Sequence, residues 1–349
     1  MEIKKSVDNV MSLGSSHDFF DSTFYERVIE LGMQNLEFTS LSDPELVYLF
    51  IHDDPDIKKV RKPNTKKVYF HDLSYFMRYV LETSGSLRAL HKEDVKRYFY
   101  RIKDYKDTTL RRKKAVIKQF LQYIYRKGAI PEDITSEIPG ISIDKKQLVN
   151  RDFSTEEVEQ LLYYFKHNDS FMYALLYTLV TTGMRIKELT NAKWNELIYD
   201  ANHDAYILQI IGKGDTPREV RIFEEVLESI KKVRQLRGLS IDVDLTDNSA
   251  FLPKADGSHY NSDYLGTFFS TKIIKTTFPF VSHRKNKITP HTCRHFTAKY
   301  LSQQNIDLKS ISEFLGHASV RTTEIYLRRQ NLRENLATLK LGKTMFSVK

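Results

Sequence analysis

Cysteine is almost absent: the single Cys293 in 349 residues excludes an intramolecular disulfide and a cysteine-built metal cluster. An intracellular, reducing compartment fits such a chain. Long apolar runs are also missing, since the longest, around Phe171 to Val180, is too short to span a bilayer. The start of the chain, MEIKKSVDNVMSLGSSHDFF, has no continuous apolar segment of the kind a secretion signal carries. A soluble, cytoplasmic protein with no membrane partner is expected. Internal repeats and low-complexity tracts are lacking as well, so turn signals and charge runs must divide the chain.

What is present is ordinary globular composition, 41% hydrophobic and 28% charged, over a length that leaves room for two domains with substantial cores. The formal charge of +9 and pI near 9.2 favour a polyanionic partner such as nucleic acid, although many basic proteins bind none.

Residues 1–60 read as an N-terminal extension of unassigned role. It has helix-like pieces around Ser22 to Gly32 and Asp43 to Ile51, then the connector-like HDDPDIKKVRKPNTKK. Residues 61–138 read as a small helical domain. Val68, Phe70, Leu73, Phe76, Met77 and Val80 give one apolar face, and Leu110, Val116, Ile117, Phe120, Leu121 and Ile124 give another. The second of these helices carries Arg111, Arg112, Lys113, Lys114 and Lys118, with Tyr123 and Tyr125 further along. Such a face suits a phosphate backbone, or is simply the solvated side of a helix.

A linker at 139–153 lacks helical period, and a second domain at 154–330 begins with a capping box of Ser154 and Glu157. A helix from Ser170 to Thr182 should end at Gly183, and YILQIIGKGDTPREVRIF reads as two strands joined by a turn. The expected fold is mainly α with a small β-sheet. The tail at 331–349 places Leu332, Leu336 and Leu339 on one helical stripe, which either docks on a neighbour or folds back.

Four motifs stand in order: TGMRIKEL with Arg185, IIGKGDTPREVRI with Lys213, HTCRHFTAKYL with His291 and Arg294, and LGHASVRTTEIYL with His317 and Tyr326. Together they resemble the tyrosine recombinase or integrase family, in the manner of its Xer and phage-integrase branches. The resemblance covers about Ser154 to Leu327, and more loosely the helical domain before it. It implies a two-domain DNA clamp with an N-terminal core-binding domain and a C-terminal catalytic domain. It also implies the catalytic set Arg185, Lys213, His291, Arg294, His317 and Tyr326, with Glu188 at a frequent acidic position as a brace. Cys293 stands where relatives often carry leucine, and is read as helix packing.

The residue chemistry agrees with that set. A phosphodiester under attack gains negative charge, and a planar guanidinium that stays protonated can hold two of its oxygens, the role for Arg185 and Arg294. Taken alone, each would be a surface ion pair. Thr289 and Pro290 should start a helix that sets His291 and Arg294 on one face, near an end that attracts phosphate. His317 follows Gly316 at a helix end. Lys213, between two glycines, is either a general acid for the departing 5′ oxygen or a lysine in an exposed turn. The Tyr326 phenol, with a reference pKa near 10, needs a base or a cationic pocket to attack.

A phosphotyrosyl bond conserves the energy of the broken linkage, so neither metal nor cofactor is expected. The partners expected are double-stranded DNA with a specific recombination site and further copies of the chain, a tetramer on two sites. Competing readings are a type IB topoisomerase, a catalytically inactive DNA-binding protein and a basic helical scaffold; the last leaves the ordered motifs unexplained.

Overall fold

The computed structural model describes residues 37–52, 61–136, 138, 153–212 and 216–316. The chain divides into two compact units, Met1–Lys145 and Lys146–Lys349. Most of the linker, Lys213, His317, Tyr326 and the tail lie outside the described residues.

The first unit holds α1 (Asp43–His52), α2 (Pro63–Thr83), α3 (Lys92–Arg101) and α4 (Asp107–Arg126). Helices α1, α2 and α4 pack on one another around Phe50, Phe76, Phe120 and Ile124, all fully buried. Each such side chain contributes about 1.5–3 kcal/mol through burial. Leu46 to Ile51 of α1 belong to the same core as α2 and α4, so this stretch of residues 1–60 packs with the helical domain. Arg88 ties the stretch before α1 to this core through the carbonyls of Phe38 and Leu41, at 3.0 and 2.6 Å. Val68, expected on the apolar face of α2, is exposed.

The second unit opens with α5 (Thr155–Asn168). Its expected capping box is present: Ser154 Oγ accepts from the Glu157 N–H at 3.2 Å, and Glu157 Oε2 accepts from the Ser154 N–H at 2.9 Å. Helix α6 (Ser170–Thr182) starts at an Asp169 cap and stops at Gly183, which turns left-handed with φ 58°. Because α6 is apolar nearly all round, it lies at the centre of the unit, against α5, α8 (Glu224–Gln235) and α11 (Pro290–Gln303).

Between α7 (Ile186–Asn191) and α8 runs an antiparallel sheet in the order β1 (Leu197–Asp200), β2 (Ala205–Ile211), β3 (Pro217–Ile222). Three strands are present where two were expected. Along β3, Val220 and Ile222 turn inward with period two, which puts Arg218 on the inner face, opposite Ile210 of β2. The unit continues through α9 (Ser262–Ile274), α10 (Pro279–Ser282), α11 and α12 (Leu308–Leu315); Leu315 and Ile311 pack α12 against Ala298 of α11.

Candidate active site

Arg185 precedes the first residue of α7, and Glu188 three residues later closes that helix start by accepting from the Arg185 N–H at 2.8 Å. The same carboxylate takes Arg185 Nη1 at 2.6 Å and Arg218 Nη2 at 2.8 Å. Burial pushes the Glu188 carboxyl up, but the Arg218 cation, the Arg185 N–H and the two guanidinium hydrogen bonds outweigh it and hold the pKa below the ordinary value. Glu188 therefore stays charged inside the protein, as a brace must.

Thr289 and Pro290 do begin α11, where Thr292 Oγ1 accepts from the Thr289 N–H at 3.1 Å. One turn in, Arg294 is buried at 3% exposure and donates to the Gly183 carbonyl at 2.7 Å and to the Leu315 carbonyl. His291 stands at the surface of the same helix start. Partial desolvation, together with the Arg294 and Arg185 cations, lowers its pKa. The imidazole is accordingly biased toward the neutral form, which still donates one N–H. Cys293 is fully buried and burial pushes its thiol up, in keeping with packing rather than reactivity.

Arg185, Arg218 and Arg294 converge on the C-terminal end of α12, where Arg185 Nη2 reaches the Gly316 carbonyl at 3.3 Å. His317 is the next residue in sequence. Gly212, at the base of the β2–β3 turn that leads to Lys213, also lies against the site: a β-carbon there would stand 3.7 Å from Glu188 Oε1. Beside Arg185 and His291 an open cleft of about 590 Å³ is walled by Lys187, Thr267, Ser270 and Lys287, a volume in the range of ligand sites. Arg218 was not singled out from sequence. The available signal was a cation at an inward position of an alternating strand.

In the first unit, the proposed DNA-facing row on α4 is only partly free. Lys113 is buried at 3% exposure with its Nζ 3.0 Å from the buried carboxylate of Asp72, and Arg112 pairs with the same carboxylate. Lys113 is thus an internal ion-pair partner rather than a surface cation, because its position falls on the stripe of Ile117, Phe120 and Ile124. Lys118 is exposed, Lys114 is half-buried over the Phe99 ring, and Arg111 is half-buried.

The chain matches the phage integrase family over residues 151–333 and the N-terminal SAM-like domain of phage integrases over residues 56–128. It belongs to that family: it is a tyrosine recombinase, an enzyme of DNA strand cleavage and rejoining in site-specific recombination. Among its relatives, Tyrosine recombinase XerC of Leptospira interrogans is 26% identical over 305 residues, covering 83% of this chain and 91% of the relative. Tyrosine recombinase XerD of Listeria innocua is 29% identical over 298 residues, covering 79% and 92%. The fold is shared with a lambda integrase dimer bound to a COC′ core site, with TM-score 0.64 and 13% identity over 99% of this chain and 88% of that one. It is shared too with XerH bound to palindromic difH in a post-cleavage complex, with TM-score 0.63 and 22% identity over 79% and 80%.

Proposed function

We propose that the chain binds a specific double-stranded DNA site and cuts each strand through a 3′-phosphotyrosyl bond to Tyr326. Arg185 and Arg294 hold the non-bridging oxygens and stabilise the charge that develops during attack. His291 and His317 donate further hydrogen bonds, and Lys213 protonates the departing 5′ oxygen. The phenol loses its proton to a nearby base as its oxygen bonds to phosphorus and the bond to the 5′ oxygen breaks. Attack by a 5′ hydroxyl from the partner duplex reverses the step and yields a Holliday junction, without metal or nucleotide. The observation that carries this reading is the convergence of Arg185, Arg294 and the Glu188 brace on the helix end that precedes His317.

Exposed Lys118, with Arg111, Arg112 and Lys114 beside it, supports phosphate contacts by the first unit. Four copies on two sites complete the assembly, and DNA as the partner puts the protein on the nucleoid in the cytoplasm. The site sequence decides whether the reaction integrates and excises an element or resolves replicons.

The test is a suicide-substrate assay with pooled nicked duplexes from the native genomic neighbourhood. Wild type should give a denaturant-resistant protein–DNA adduct without metal, and Tyr326→Phe none. An adduct that persists in Tyr326→Phe would refute the assignment of the nucleophile, and relaxation of unsited supercoiled DNA would favour a topoisomerase.

A further inference from the structure

Every helix end leaves carbonyls without a helical partner. At the end of α12, three arginines from three elements take three consecutive ones. Arg218 Nη1 donates to the Phe314 carbonyl, Arg294 Nη2 to that of Leu315, and Arg185 Nη2 to that of Gly316. Two of these arginines belong to the catalytic set that the resemblance implies, whereas Arg218, although it lies in the Lys213 motif, does not. Yet the Arg218 side chain is only 9% exposed, and its second terminal nitrogen holds the Glu188 oxygen that also caps α7. The Glu188 carboxylate is therefore shared between an arginine from β3 and one from the start of α7.

We propose that Arg218 is a positioning residue for DNA cleavage, locking Glu188, and through it the Arg185 guanidinium, to both the β2–β3 hairpin and the end of α12. This rests on the reading that Arg185, Lys213 and His317 act on the phosphate.

Arg218 does not itself touch DNA. Both terminal nitrogens are engaged, and its Cδ lies where a β-carbon on Gly316 would be 3.0 Å away, so the side chain is closed in on that side. Its place in the register does the rest: opposite Ile210, it roots in the hairpin whose turn carries Lys213, and it grips the helix end that leads to His317. A guanidinium suits this because its planar fork can serve two acceptors at once, while an ammonium is a point donor. Without Arg218, Glu188 would be a buried carboxylate with Arg185 as its remaining arginine partner. Arg185 would be drawn further onto the carboxylate, and protonation of Glu188 would become easier, since Arg218 is the largest influence opposing burial there.

Full-length wild type, Arg218→Gln and Arg218→Lys are compared for adduct formation on the pooled nicked duplexes at saturating DNA, from mildly acidic to neutral pH. Arg218→Gln should form adduct roughly 100-fold more slowly, the scale expected of a misplaced catalytic group, with DNA affinity held within about twofold. Its rate should also fall on the acidic side at a higher pH than wild type, a shift that a loss of packing alone would not produce. Arg218→Lys should recover part of the rate. A wild-type rate and pH profile in Arg218→Gln would overturn the proposal, and if that variant does not fold, Arg218→Lys is judged by the same criteria. Should wild type itself give no adduct, the reading of the site fails, and amide hydrogen exchange of the free chain decides on Arg218. Faster exchange in Arg218→Lys at both Arg185–Thr190 and Phe314–Gly316 supports the lock, and unchanged exchange overturns it.

Discussion

Replacing Gly183 by alanine isolates how tightly the arginine site is seated. Gly183 has φ 58°, and an added β-carbon would stand 2.7 Å from Leu315 Cδ2 and 3.3 Å from Thr297 Cβ and Cγ2. Both neighbours are buried, so neither can swing into solvent. Gly238 in the same unit has φ 69° but nothing within 4 Å of its β-carbon position. Alanine at either site meets left-handed backbone strain of about 1–2 kcal/mol. Overpacking adds about 1–3 kcal/mol at Gly183 alone, and effects on the unfolded chain cancel between the two. Urea unfolding followed by the fluorescence of Trp194 reports on this unit, because Trp194 is the chain's single tryptophan and is fully buried in its core. Gly183→Ala should therefore lose about 1–3 kcal/mol more than Gly238→Ala. Equal losses would mean that the end of α6 is not pressed against α12. Because the Gly183 carbonyl accepts from Arg294 at 2.7 Å, Gly183→Ala should also slow adduct formation, whereas Gly238→Ala should not.

In the first unit, Lys113→Ala removes one of the two cations on the buried Asp72 carboxylate, leaving Arg112, and should lower stability by about 1–3 kcal/mol. Lys118→Ala should leave stability unchanged and reduce the salt slope of DNA binding by about one; the reverse pattern would refute the placement of the two lysines. Glu188, with its pKa below the ordinary 4.5, contributes stability that is fully present above that value and is lost as pH falls through the folded-state pKa. The stability advantage of wild type over Glu188→Gln should accordingly shrink on acidification, and a constant difference would count against a charged Glu188. In the DNA-free chain, an NMR titration of the His291 ring should give a pKa below 6.5. Its protonation then favours the unfolded chain as pH falls. A value at or above 6.5 would remove the two arginines from its surroundings.

Local signals were legible in the sequence wherever the partner lay within one helical turn. The Ser154–Glu157 box, the Gly183 stop of α6 and the Thr289–Pro290 start of α11 are contacts of three or four residues' span, written in the residue types themselves. What the sequence hid was partnership across elements. Lys113 meets Asp72 from another helix, and Arg218 meets Phe314 from the far end of the unit. Both cations sit on an apolar face, Lys113 on the stripe of Ile117 and Phe120, Arg218 on that of Val220 and Ile222. A lone charge on an apolar face was the readable sign that a buried partner existed, though not which one. Helix α1 was legible as a helix at Asp43 to Ile51 but its packing was not, since every residue from Glu45 to Ile51 is buried and no single apolar face points to a partner. Strand β1, four residues long, was too short for alternation to register.

The three arginines at the end of α12 are not equivalent: they differ in exposure and in how firmly each is held by its acceptors. Arg294 is 3% exposed and committed to two carbonyls on separate elements, so its reach is fixed by the backbone of α6 and α12. The Arg218 side chain, 9% exposed, divides its fork between the Phe314 carbonyl and Glu188. The Arg185 side chain is the most open at 25% exposure, and its hold on the Gly316 carbonyl is a long 3.3 Å contact, weaker than its 2.6 Å pair with Glu188. On the proposal that Arg185 holds the scissile phosphate, the Gly316 carbonyl is therefore the partner it would give up, with the Glu188 pair left in place.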